Sequence, residues 1–124
     1  MPLYGTQFPP PILSPRQSYN LFNAETITAP ASSVAVKLDA EVPGGLSYIK
    51  AFQVSFASSA TATVNIQASA VDVDAEYTTV PNGTLTFSSS VVPQLFTDIG
   101  PMPYWRVQVS SQSAGGAITA TIEL

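Results

Sequence analysis

Period-two alternation between apolar and polar residues limits this chain to a few folds. "YWRVQVS" (104–110) sets Trp105, Val107 and Val109 against Tyr104, Arg106 and Gln108, and "AITATIEL" (117–124) sets Ile118, Ala120, Ile122 and Leu124 against Thr119, Thr121 and Glu123. Successive side chains of a strand point to opposite faces, so each run is a strand with one face buried. The Gly-containing loop "SQSAGG" (111–116) is expected to join the two as an antiparallel pair.

The same period recurs upstream. "SVAVKLDA" (33–40) places Val34, Val36 and Leu38 opposite Ala35, Lys37 and Asp39, and "PGG" at 43–45 supplies a turn. "LSYIKAFQVSF" (46–56) sends Phe52, Val54 and Phe56 to one side, and "TATVNIQA" (61–68) does so with Val64, Ile66 and Ala68. Pro81-Asn82-Gly83 within "TTVPNGTLTF" (78–87) reads as a hairpin, because Asn-Gly accepts positive φ at both central positions. With "YNLFNAETITA" (19–29) and "QLFTDI" (94–99), the inventory is about eight strands and no helix. The expected fold is all-β: an antiparallel β-sandwich, jelly-roll-like, over residues 19–124.

Residues 1–18, "MPLYGTQFPPPILSPRQS", differ in kind. Pro2, Pro9, Pro10, Pro11 and Pro15 fix φ and remove backbone donors, which favours an extended arm that joins a ladder poorly. Ordering such an arm costs on the order of 20 kcal/mol of backbone entropy. Leu3, Tyr4, Phe8, Ile12 and Leu13 are the side chains able to offset that by burial. Two dispositions follow: the arm covers an open edge of its own sheet, or it docks its apolar residues on a neighbouring subunit, the reading that proline-rich groove binders favour.

Composition narrows the function. Charged residues are only 10% of the chain, net charge is −4, and Arg16, Lys37, Lys50 and Arg106 are the only cations, so no basic stripe exists to neutralise phosphates. Direct nucleic-acid binding is not expected, nor is a membrane partner, since no apolar run approaches about 18 residues. Neither a secretion signal nor a disulfide framework is supported: prolines interrupt the N-terminus, and cysteine is absent. Without histidine there is no Ser-His pair and no imidazole ligand, and an enzyme is not expected.

"VDVDAEY" (71–77) is the one concentration of carboxylates. On an extended strand Asp72, Asp74 and Glu76 would share a face at about 7 Å intervals, a weak candidate for calcium that lacks the glycine and distal glutamate of an EF-hand loop. A solvated outer face or loop is the preferred reading, with no metal and no cofactor. "NGT" at 82–84 matches a glycosylation acceptor but reads as turn chemistry. In "PMPYWRVQV" (101–109) alternation buries Trp105 and leaves Tyr104 and Arg106 outward as contact residues.

From residue 61 onward, the order "ATVNIQAS", an acidic turn, "YTTV", "FTDIG" and "YWRVQVSSQSAGGAITATIEL" resembles the small β-sandwich structural proteins of tailed bacteriophage virions. There an aromatic-x-Arg-Val-x-Val strand precedes a Ser/Thr/Gly-rich turn and a closing strand; "AVDVDA" (70–75) departs from the usual Gly-containing turn. The resemblance implies a non-enzymatic capsid decoration or cement subunit, or a minor head protein, located in the virion. Its implied partners are the major capsid protein or neighbouring copies in a homo-oligomer. A carbohydrate- or receptor-binding module of a viral fibre or tail, using aromatics around Tyr48, Tyr77 and Tyr104, is the alternative.

Overall fold

The computed structural model describes residues 9–14, 17–38 and 48–124. Ten strands form two facing sheets, with no α-helix among the described residues. They are β1 (Ile12–Leu13), β2 (Ser18–Glu25), β3 (Ala31–Ser32), β4 (Val36–Leu38), β5 (Lys50–Phe56), β6 (Ala60–Ser69), β7 (Thr78–Ser90), β8 (Gln94–Asp98), β9 (Tyr104–Ala114) and β10 (Ile118–Glu123). The count exceeds eight because β1 and β3 are two-residue pieces.

One sheet has the order β1-β4-β9-β6-β7, with β3 also on β9; the other is β2-β10-β5-β8. Among the eight longer strands, the first pairs with the last (β2–β10) and the second with the seventh (β4–β9). The third pairs with the sixth (β5–β8) and the fourth with the fifth (β6–β7). All these pairs are antiparallel, as in one long hairpin wrapped into two layers.

The alternating positions supply the core. Phe52, Val54, Val64, Ile66, Trp105, Val107, Val109, Ile118, Ala120 and Ile122 are fully buried. Aromatic rings join the layers: Phe52 lies 5.7 Å from Trp105 between centroids, and Phe56 meets Phe87 edge-on at 4.9 Å. Such contacts add roughly 1 kcal/mol each beyond the area they bury.

Two expected pairings are corrected. β9 and β10 are not a hairpin: β9 runs on to Ala114 in one sheet, and β10 sits between β2 and β5 in the other. Gly115 (φ +127°) and Gly116 (φ +69°) make the crossing, and Gly115 lies so close to Ala60 that a Cβ there would be 2.7 Å from it. Pro81-Asn82-Gly83 is no hairpin either. Thr79 pairs Gln67 and Thr84 pairs Asn65, so residues 80–83 bulge opposite the single residue Ile66 while β7 continues. Asn82 takes the left-handed conformation (φ 61°) but Gly83 does not, and a two-residue I′ turn needs both. A bulge also suits Pro81, which has no amide to give the ladder.

The "SVAVKLDA" strand is interrupted. Ser33 replaces a ladder bond with its side chain: its amide donates to Val107 O (2.8 Å), and its Oγ accepts from the Val107 amide (3.0 Å). Val34, Val36 and Leu38 are buried as alternation requires, whereas Asp39 and the 43–45 turn lie outside the described residues.

Candidate functional site

The proline-rich arm meets its own sandwich at β1. Ile12 and Leu13 pair in parallel with Lys37 and Leu38, and the Lys37 amide donates to Pro11 O at 2.9 Å. Leu13, expected to bind a partner, is instead 4% exposed within the chain's own core; Ile12 turns outward at 62%. Period two explains the split, since adjacent strand residues face opposite ways. Leu3, Tyr4 and Phe8 lie outside the described residues.

Arg106 carries the largest correction. It projects from the outer face of β9, as alternation requires, yet only 3% of it is exposed, because the segment after β6 folds back over that face. Ser69 starts the return: its Oγ accepts from the Val71 amide (3.1 Å) and donates to Val71 O (2.6 Å). A 3-10 turn at Asp74–Glu76 follows, with the Glu76 amide donating to Val73 O at 2.9 Å. Tyr77 then lies 4.1 Å from the guanidinium, ring centroid to Cζ. Arg106 Nη1 donates to Asp74 Oδ1 (2.5 Å), Nη2 to Asp74 O (3.4 Å) and Nε to Gln67 Oε1 (2.9 Å). A buried guanidinium needs its donors satisfied, and this arrangement engages all three nitrogens.

Three carboxylates on one extended face do not form. The 3-10 turn breaks the period of two, Asp72 accepts from Tyr77 Oη (2.7 Å), Asp74 pairs Arg106, and Glu76 is exposed. Among the described residues no group of three acidic side chains could hold a metal ion. Burial first, then the bond to Asp72, pushes the Tyr77 hydroxyl well above the ordinary tyrosine range. Sheet neighbours continue the network: Gln108 Oε1 accepts from Asn65 Nδ2 (3.1 Å) and Gln67 Nε2 (3.4 Å), and Asn65 Oδ1 accepts from Thr84 Oγ1 (2.9 Å).

Other aromatic candidates are partly or wholly withdrawn from the surface. Tyr77 is 7% exposed beneath Asp72, Trp105 is fully buried, and Tyr104 is half-buried with Lys37 Nζ 5.8 Å from its ring centroid. Tyr48 is half-buried as well.

Lys50 was missed although its position was readable. It shares parity with Phe52, Val54 and Phe56 and therefore points inward, fully buried. Its Nζ donates to Tyr48 O and Gly100 O, both at 2.7 Å, and sits 4.9 Å from the Trp105 ring centroid. Burial lowers its pKa to about 8, against the pull of Asp98, its cross-strand partner. Asp98 Oδ1 in turn accepts from the Gly100 amide, and Trp105 Nε1 donates to Met102 O at 2.6 Å. Beside this corner a cleft of about 250 Å³ is lined by Val80, Pro81, Asp98, Pro101, Met102 and Trp105. The lysine ties the 98–102 turn to the end of the sandwich.

Comparison with protein-family models, curated proteins and solved structures finds no match.

Proposed function

We propose that this chain is a virion structural protein, a capsid decoration or cement subunit whose sandwich and N-terminal arm bind neighbouring subunits. The pairing order carries the reading: first strand with last, second with seventh, third with sixth and fourth with fifth. That order supports describing the sandwich as a jelly roll, an architecture that viral capsid and lectin domains use. The positions of the aromatics favour the capsid branch over the lectin branch, because a sugar platform needs exposed rings and Tyr77 and Trp105 are buried. With Leu13 anchored on its own β4, the arm is held at its root. Leu3, Tyr4 and Phe8 are then the residues offered to a neighbour.

Deleting residues 2–8 and sedimenting particles with the full-length or shortened chain tests this. The full-length chain is expected to sediment with the particles and the shortened chain to stay in the supernatant with an unchanged melting temperature. Equal recovery of both chains, or a full-length chain that never sediments with particles, contradicts the reading.

A further inference from the structure

Sheet edges expose unpaired amides and carbonyls, and natural proteins blunt them with prolines, bulges, charges or very short strands. Among the described residues, three of the four sheet edges are blunted. β1 is two residues long between Pro11 and Pro15. β2 has register shifts against β10, and Ala24 (φ 50°) gives its amide to Thr119 Oγ1 at 3.2 Å. β7 repeats the device: Ser89 (φ 51°) gives its amide to Thr61 Oγ1 at 3.3 Å, and residues 80–83 bulge farther along.

β8 is less protected: Pro93 lies just before it and its one charge, Asp98, sits at its C-terminal end opposite Lys50, but the strand itself carries no bulge. It pairs β5 in unbroken register, has no proline or left-handed residue between Gln94 and Asp98, and among the described residues pairs nothing on its other side. Its outward residues are apolar or neutral: Leu95 is 71% exposed, Ile99 just beyond is 63%, and Thr97 lies between them. Gln53 and Ala51, their partners on β5, add no charge to that face.

We infer that β8 is a self-association edge whose partner is β8 of a second copy, paired antiparallel about a two-fold axis at Thr97. This register sets Leu95 of each chain opposite Ile99 of the other, so the exposed apolar residues of the strand cover one another. Thr97 faces Thr97, and Asp98 falls opposite Phe96, so no two carboxylates are apposed. Sliding the register by two residues toward the N-terminus would centre it on Leu95 and bring Pro93, which has no amide to donate, into the ladder. The two four-stranded sheets would then run together as one of eight. The inference stands apart from the virion reading, since it concerns two copies of this chain alone.

Sedimentation equilibrium of the full-length chain across a concentration series tests it, beside two variants of these exposed residues. Wild type is expected to dimerise. Leu95→Lys with Ile99→Lys sets like charges opposite one another twice and weakens the dimer by roughly tenfold or more. Leu95→Lys with Ile99→Glu restores opposite charges across the axis and recovers the dimer. Circular dichroism checks that each variant stays folded. A wild-type chain that is monomeric at every concentration overturns the inference. So does a Lys/Lys variant that dimerises as well as wild type, or a Lys/Glu variant no better than Lys/Lys.

Discussion

The two sheets are finished differently. The β1-β4-β9-β6-β7 sheet is closed from within: the arm caps one edge, bulges blunt the other, and the return segment 70–77 lies over its outer face and buries Arg106. The β2-β10-β5-β8 sheet has a bulged edge at β2, but at β8 a regular strand that pairs nothing further among the described residues, with Leu95 and Ile99 exposed there. A chain with so few charges has little electrostatic protection against association, so backbone devices and buried polar networks guard the surfaces that stay single. Where those devices stop, contact is expected.

Neighbouring residues at the closed edge give the sharpest test. Leu13→Ala is expected to destabilise the fold by about 3 kcal/mol, the usual cost of emptying a buried leucine site, whereas Ile12→Ala should change stability by less than about 0.5 kcal/mol. Chemical denaturation of both variants checks this, and equal effects would remove the arm from the core.

The covered outer face comes next. Arg106→Ala is expected to cost about 2 to 3 kcal/mol, below the range for fully buried pairs because Asp74 keeps access to water. The same variant removes the positive charge that draws the Tyr77 hydroxyl downward, so that hydroxyl should titrate no lower than in the wild-type chain in an ultraviolet pH titration.

Lys50 probes the corner of the open sheet. Below pH 8 the folded and unfolded chains both hold its proton, and the folded state bears the whole cost of the buried charge. Above about 8 the folded chain releases the proton while the unfolded chain keeps it up to 10.5, so stability rises with pH across that window. The gain is about 2 kcal/mol between pH 8 and 10, before the raised Tyr19 and Tyr77 act in the other direction. Lys50→Met should abolish the rise in urea titrations repeated at each pH.

Gly83→Ala is expected to cost about 1 to 2 kcal/mol. Its Cβ would meet Val80 Cγ2 at 2.7 Å and Ile66 O at 3.1 Å, and the bulge must shift. Thermal melts read the change.

Period two made the strands legible: the inward sets at Phe52-Val54-Phe56, Val64-Ile66-Ala68 and Trp105-Val107-Val109 hold in the structure. Which strands pair was hidden, because alternation fixes the face a residue points to and not the sheet it joins; β9 and β10 have ideal patterns and lie in different layers. Asn82-Gly83 carried true local information, a left-handed asparagine, that serves a bulge as well as a turn. Arg106 points outward as expected, but its cover comes from a segment 32 positions away at Asp74, beyond any local pattern. The cover includes "AVDVDA", a loop in which Asp74 pairs the Arg106 guanidinium while Asp72 accepts from Tyr77.

Hydrogen exchange of the edge-strand amides, followed from dilute to concentrated solution, tests most directly whether the molecule has one open side. Protection is expected to rise with concentration along 94–99 and to stay constant in β1, β2 and β7. Exchange at 94–99 that ignores concentration, or protection that rises equally at all four edges, would contradict the account.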